Sequence, residues 1–163
     1  MVKQVFLDYN FNIFLNADYS SSRSSLAHLP DIYPPTINEE NTQIEQVWWD
    51  DSQVDFELIG SQLNMLVVSV SSIQQRPGML IPAHQDSFHK VSTVYPDDKR
   101  LKVRANIFLQ SWMLGHTLHF DHVQAEEWEA GEGYLWDSSV YHLSCNAGFY
   151  PKYTLQISGF SLA

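Results

Sequence analysis

The stretch YHLSCNAGFYPKYTLQISGF, residues 141–160, contains two runs of alternating polar and apolar side chains with a turn between them. Successive side chains of a β-strand point to opposite faces, so every second residue shares a face. The polar members of the two runs are His142, Ser144, Asn146, Lys152, Thr154, Gln156 and Ser158. Both runs are therefore predicted to be strands with one polar and one apolar face.

Short runs of similar character extend upstream from this stretch as far as Leu66. Most of them end at turn residues such as Pro77-Gly78 or Asp97-Asp98. The runs are 66–70, 79–81, 103–109, 117–120, 134–136, 141–145 and 153–160. Short strands at regular spacing with turns between them predict a mainly β sandwich or barrel, and a jelly roll of about eight strands fits the length.

The first part of the chain has a different composition. Residues 20–43 are rich in Ser, Asn and Pro, which is typical of an extended covering arm. Residues 47–58 carry aromatic side chains among acidic ones and are expected to pack partly on the barrel. We therefore expect a single domain, in which residues 1–65 form an N-terminal covering segment packed outside a core of residues 66–163.

Composition excludes several classes of partner. The chain of 163 residues has 9 Lys and Arg against 19 Asp and Glu, a net charge of -10. An acidic protein repels phosphate backbones, so neither nucleic acid nor an anionic membrane is expected as a general partner. Cys145 is the only cysteine, and no secretory signal or membrane-spanning run is evident. The expected location is the cytoplasm, and the oligomeric state is left open.

A third strand, residues 103–109, also has a polar face. Arg104, Asn106 and Gln110 share that face, which Phe108 interrupts. A solvated outer face is the commonest reason for such alternation. These three strands, however, carry amides, hydroxyls and imidazole where a solvated face usually carries Lys and Glu. We therefore predict that they line a pocket for a small-molecule or peptidyl substrate.

The sharpest chemical signal is His84-Gln85-Asp86. On an extended strand, residues at this spacing point to the same side. With one distant inward histidine, His142, they would form the facial triad of non-haem iron, which leaves coordination positions open for small ligands. His119 and Asp121 have the same spacing and form the main competing pair.

Several segments resemble double-stranded β-helix oxygenases. Residues 75–86, QRPGMLIPAHQD, resemble the entry into the iron site of that superfamily. The other segments that carry the resemblance are 128–133, 136–142, 146–148 and 152–155. Over residues 66–160 the chain is most similar to the aspartyl/asparaginyl β-hydroxylase-like and prolyl-hydroxylase-like branches of the 2-oxoglutarate oxygenases. It departs from the aspartyl β-hydroxylases at Asp86, because those enzymes can lack this carboxylate.

The resemblance implies a double-stranded β-helix (a cupin-like jelly roll) that uses Fe(II) and 2-oxoglutarate, with His84, Asp86 and His142 as metal ligands. It implies a dioxygenase that hydroxylates a C–H bond of an amino-acid or peptidyl side chain and releases succinate and CO2. Two alternatives stay open. One is a cupin-like protein that binds a metal or a small acid without turnover, and the other is a Zn or Mn enzyme of the same fold.

The resemblance also implies a cation for the far carboxylate of 2-oxoglutarate. In the superfamily this is often a Lys or Arg about ten residues after the distal histidine, and Lys152 stands ten residues after His142. Arg104 is the main competing cation. Asn106 and Thr154 are expected to hydrogen-bond beside it.

Overall fold

The computed structural model describes all residues, 1–163, and contains eleven strands and three α-helices. The strands are β1 (Val2–Phe6), β2 (Ser22–Ser24), β3 (Gln43–Trp49), β4 (Met65–Gln75), β5 (Leu80–His84), β6 (Lys102–Phe108), β7 (His116–Phe120), β8 (Val123–Ala125), β9 (Glu132–Asp137), β10 (His142–Asn146) and β11 (Lys152–Ser161). The helices are α1 (Asn12–Leu15), α2 (Phe56–Leu63) and α3 (His89–Val94), and a short 3-10 helix covers Ser25–His28. No helix has the length and apolar character needed to cross a membrane.

The strands form two antiparallel sheets. The large sheet has the order β1-β9-β6-β11-β4-β3-β2, and the small sheet has the order β5-β10-β7-β8. From β4 to β11 the chain passes back and forth between the sheets, so that eight strands form a jelly roll. The predicted double-stranded β-helix is confirmed.

The N-terminal segment refines this prediction, because residues 1–65 add strands to the barrel as well as covering it. β1 pairs with β9 at one edge of the large sheet. β3 pairs with β4 at the other edge, and β2 pairs with β3. These additions satisfy backbone groups that would otherwise be left unpaired at the two edges of the eight-stranded roll.

The main hydrophobic core lies on the outer face of the large sheet, under α1 and α2. Phe14 of α1 and Ile59 of α2 are fully buried against it. The sheet contributes the apolar face of its central strands, namely Val103, Ala105, Ile107, Leu135, Leu155 and Ile157. The opposite face of the same strands is therefore free to line the space between the sheets.

A smaller aromatic cluster closes one end of that space. Phe108 and Trp128 stack with ring centroids 3.7 Å apart, and Phe120 packs edge-on against Trp136. Phe108 interrupts the polar face of β6 because it belongs to this cluster. The remainder of the space between the sheets is an open cavity.

Candidate metal centre and its cavity

The three candidate metal ligands converge on one point of the cavity wall. His84 ends β5 and pairs with His142 at the start of β10, and Asp86 lies in the loop after β5. The Nε2 atoms of His84 and His142 lie 3.7 Å from Oδ1 and Oδ2 of Asp86, respectively. All three ligand atoms lie within 4.8 Å of one another.

Backbone carbonyls orient both imidazoles. Nδ1 of His84 lies 2.8 Å from the carbonyl oxygen of Pro82, and Nδ1 of His142 lies 3.2 Å from that of Val140. A ring whose Nδ1 donates to a carbonyl presents a bare Nε2 lone pair, which is the form that binds metals. Both lone pairs can therefore point toward Asp86.

The Asp86 carboxylate is buried and held by two donors. Arg104 donates to Oδ1, and the indole N–H of Trp136 donates to Oδ2 over 2.8 Å. Phe88 packs under the guanidinium of Arg104, 5.3 Å from the ring centroid. Burial by itself raises the pKa of Asp86, but the charge of Arg104, with smaller contributions from the two neighbouring imidazoles, outweighs it and holds the pKa below its usual range. Asp86 is therefore an anion at neutral pH.

This donor set fits a divalent metal ion. Burial lowers the pKa of His142 to about 4, against the opposing charge of Asp86, so its ring is neutral and available at neutral pH. Two nitrogens and one carboxylate are the donor set of non-haem iron. Cis ligands about 2.1 Å from one ion lie roughly 3 Å apart, so the 3.7 Å separations need only a small side-chain movement.

The competing pair is not assembled. His119 pairs with Leu143, one residue out of step with the His142–Phe120 pair, so His119 faces away from His142. The buried histidine of the segment, His116, donates through Nε2 to the carbonyl oxygen of Tyr150. His84, Asp86 and His142 form the only cluster of three or more potential metal ligands in the structure.

The triad opens into a cavity of about 1150 Å³ between the two sheets. The polar faces of β6, β10 and β11 line it, and so do residues of β2, β3 and α3. Of the residues expected beside the co-substrate, Lys152, Arg104, Asn106 and Thr154 all line this cavity. Asn106 Oδ1 is buried without a hydrogen-bond partner.

Lys152 is a buried cation without an acidic partner. It is 3% exposed, and its Nζ donates to Ser144 Oγ, the carbonyl oxygen of Thr117 and Gln75 Oε1. Burial lowers the pKa of Lys152 to about 7. A buried ammonium surrounded by neutral oxygens alone is unfavourable until an anion joins it.

Some cavity residues were not anticipated from the sequence. Gln75 ends β4 and accepts a hydrogen bond from Ser144, which lies on the opposite sheet. Arg23 of β2 and Trp48 of β3 also line the cavity. The only signal for Gln75 was its inward alternation with Ser71 and Ile73, and Arg23 lies in a serine-rich segment without recognisable periodicity.

Comparison with known proteins identifies the fold. No family model and no curated protein matches the sequence. Many solved structures resemble the chain, and three of them are described here. A Pseudomonas putida prolyl-4-hydroxylase is 21% identical with a TM-score of 0.54, covering 78% of this chain and 76% of its own. The 2OG complex of a viral collagen prolyl hydroxylase from Paramecium Bursaria Chlorella virus-1 is 14% identical with a TM-score of 0.53, covering 74% and 80%.

The third structure is SnoK, a non-heme alpha ketoglutarate dependent carbocyclase from nogalamycin biosynthesis. It is 11% identical with a TM-score of 0.57, covering 77% of this chain and 66% of its own. The chain shares the fold of these three enzymes. Identities this low show a shared architecture but not a shared chemistry.

Trp136→Phe is expected to weaken metal binding. The change removes the hydrogen bond that orients Asp86 Oδ2 and keeps an aromatic ring in the cluster. Loss of such an outer contact typically costs about 10- to 100-fold in metal affinity. Titration with Mn(II), an air-stable substitute for Fe(II), measures the change. Trp112→Phe, which removes an indole hydrogen bond to the carbonyl of His116, is the matched control. Equal affinity in both variants would contradict this role for Trp136.

Lys152 is expected to make stability depend on pH in the metal-free protein. Its pKa is about 7 in the folded protein, against an ordinary value of 10.5 for a solvated lysine, so between these values the unfolded chain binds more protons. The free energy of unfolding therefore rises with pH over this window. Wild type should gain stability relative to Lys152→Met as pH increases from about 7 to about 10, measured by urea denaturation. A constant difference would show that Lys152 titrates normally.

Proposed function

We propose that the protein is an Fe(II)- and 2-oxoglutarate-dependent dioxygenase that hydroxylates an amino-acid or peptidyl side chain. The observation that carries the proposal is the presence, in one cavity, of the His84, Asp86 and His142 triad and the unpaired cation of Lys152. A metal centre with open positions and a cation at a distance are what a chelating dicarboxylate requires. The shared fold of the three solved enzymes supports the proposal.

Each residue has a distinct task in this proposal. His84, Asp86 and His142 would hold Fe(II), which with 2-oxoglutarate and O2 supplies the oxidation of a C–H bond and yields succinate and CO2. Lys152 would neutralise the far carboxylate of 2-oxoglutarate. Arg104 is already paired with Asp86 and hydrogen-bonded to Ser158, which favours Lys152 over Arg104 for this task.

The cavity also supplies orientation and a dry wall. Trp136 and Phe120 pack beside His142, with ring centroids 4.7 and 6.4 Å from the imidazole. They exclude water from one side of the triad. Asn106 Oδ1 and the Thr154 hydroxyl are available to position polar groups of the co-substrate or substrate.

Succinate release tests the proposal. Protein loaded with Fe(II) under argon and then supplied with 2-oxoglutarate and air should form succinate, even slowly and without a primary substrate. The same protein loaded with Zn(II), which is redox-inert, should form none. If the Fe(II) protein forms no succinate above the Zn(II) control with any amino-acid or peptide substrate, the dioxygenase proposal fails. The cupin-like binding protein then becomes the better explanation.

A further inference from the structure

The cavity concentrates basic residues although the protein is acidic. The chain has only 9 Lys and Arg against 19 Asp and Glu. Four of the basic residues line the cavity, namely Arg23, Lys90, Arg104 and Lys152, but only one acidic residue, Asp86, does so. A cleft whose charge opposes that of the surrounding surface concentrates anions where they are otherwise repelled.

The proposed chemistry uses neither Arg23 nor Lys90, and Arg23 is the half-buried one of the two. Its Nε and Nη2 donate to Gln46 Oε1 over 3.2 and 2.5 Å, and the Gln46 amide in turn donates to Ser71 Oγ over 2.9 Å. Gln46 therefore fixes the guanidinium while leaving most of its five N–H donors free. None of its hydrogen bonds goes to a carboxylate.

The charge of Arg23 is not offset within the protein. Burial lowers the pKa of Arg23, and no neighbouring acid opposes this effect. A planar guanidinium held in place with its outer edge free is suited to a bidentate contact with a carboxylate.

Ser25 provides a second, independent sign of a missing ligand. Its side chain is 7% exposed and lines the same cavity, yet Oγ has no hydrogen-bond partner. A buried hydroxyl without a partner is uncommon, because the free energy of its hydrogen bonds to water is lost and no hydrogen bond in the protein replaces them. Ser25 stands two residues after Arg23, and its backbone N–H continues the pairing of β2 with β3 by donating to the carbonyl of Thr42, so both side chains lie on the same side of the chain.

Arg23 and Lys152 are well separated along the sheet. Arg23 of β2 pairs with Ile44 of β3. The register of β3 against β4 places Ile44 beside Gln75, because the next pair along is Glu45–Gln74. Gln75 in turn pairs with Lys152 of β11. The two basic residues lie in one row of the sheet, three strand spacings or about 14 Å apart at the backbone. One far carboxylate of 2-oxoglutarate on Lys152 leaves Arg23 available for another anion.

We infer that Arg23 and Ser25 bind a carboxylate of the primary substrate. That substrate is either an amino-acid derivative with a free carboxylate or a peptide that presents one. The inference rests on the proposed function, since it assigns the substrate class of the same site. Trp48, which lines the cavity under the ammonium of Lys90 at 3.9 Å, offers an apolar surface for the rest of the substrate.

Matched acids and amides test the inference. The first set of probes pairs each N-acetyl amino acid with the N-acetyl amino acid amide, in which the carboxylate is replaced by a neutral amide. The second set consists of dipeptides with a free C-terminal carboxylate. Binding is followed as the shift in melting temperature of protein loaded with Mn(II) and 2-oxoglutarate. At least one acid should bind better than its amide. Arg23→Gln should raise its half-saturating concentration about 10- to 100-fold, the usual cost of a lost charge-assisted contact.

Arg100→Gln is the matched control, because it removes an exposed arginine that pairs with Asp98 outside the cavity. It should bind the acid as wild type does. The 2-oxoglutarate requirement for succinate formation in the Fe(II) protein should stay unchanged in both variants. Tighter binding of the N-acetyl amino acids would indicate a small amino-acid substrate, and tighter binding of the dipeptides would indicate a peptide substrate.

Four results would overturn the inference. Two concern the probes: amides binding as tightly as acids, and no acid binding at all. The other two are Arg23→Gln behaving like Arg100→Gln, and Arg23→Gln raising the 2-oxoglutarate requirement. If acids bind through Arg23 but the Fe(II) protein never forms succinate, the anion site stands and the dioxygenase proposal fails.

Discussion

His142→Ala is expected to abolish tight metal binding and all succinate formation. The change removes one of three ligand atoms, and the remaining two, on His84 and Asp86, are too few to hold Fe(II) in place. Loss of a hydrogen-bond partner of a metal ligand typically lowers metal affinity about 10- to 100-fold, so loss of a ligand itself should lower it by more. Mn(II) titration and the succinate assay measure both effects.

His119→Ala is the matched control for this variant. It removes a histidine from the neighbouring strand that faces away from the triad, and it should leave metal affinity and turnover at wild-type values. Asp86 is less suitable for this substitution, since its loss would leave Arg104 largely buried without an acidic partner, at a cost of about 3–5 kcal/mol in stability. If His119→Ala loses the metal and His142→Ala keeps it, the assigned triad is wrong.

Lys152→Met is expected to raise the half-saturating concentration of 2-oxoglutarate by roughly 30-fold or more. Removing one partner of a buried charge pair leaves the other charge unpaired, which commonly costs about 2–5 kcal/mol. Metal affinity should change little, because Lys152 contacts Thr117, Ser144 and Gln75 but none of the three metal ligands. The protein should still fold, since methionine fills a similar volume without a buried charge.

Two variants make the Lys152 result specific. Lys102→Met removes a lysine of β6 that donates to Ser92 and does not line the cavity, so its 2-oxoglutarate requirement should match wild type. Arg104→Gln examines the competing cation. If Arg104→Gln raises the 2-oxoglutarate requirement and Lys152→Met does not, the roles of the two residues must be exchanged. If neither variant changes it, neither residue binds the far carboxylate of 2-oxoglutarate.

The jelly roll and the position of the triad could be predicted from sequence because their signals are local. Alternation along residues 141–160 marks the faces of β10 and β11, and the two-residue spacing of His84 and Asp86 brings both side chains to one side. The partner of that pair, His142, also followed from alternation, because it occupies the polar face of its strand.

Other features depend on tertiary contacts that no local pattern encodes. β1 and β2 are short and lack a strong alternating pattern, and they become strands because an existing sheet edge satisfies their backbone. Phe88 adopts a positive φ of 52° in the turn between Asp86 and α3. This conformation is uncommon for residues other than Gly, Asn and Asp, so it could not be predicted from the sequence. Arg23 reaches the cavity only because β2 is added at the edge of the sheet.

A crystal structure of the protein with Mn(II) and 2-oxoglutarate, grown and frozen under argon, tests the central claim most directly. We expect one metal ion bound by His84 Nε2, His142 Nε2 and an Asp86 oxygen at about 2.0–2.3 Å. We also expect 2-oxoglutarate chelated to that ion with its far carboxylate on Lys152 Nζ. An ion bound elsewhere, or 2-oxoglutarate absent from the cavity at saturating concentration, would contradict the proposal that this protein is a 2-oxoglutarate dioxygenase.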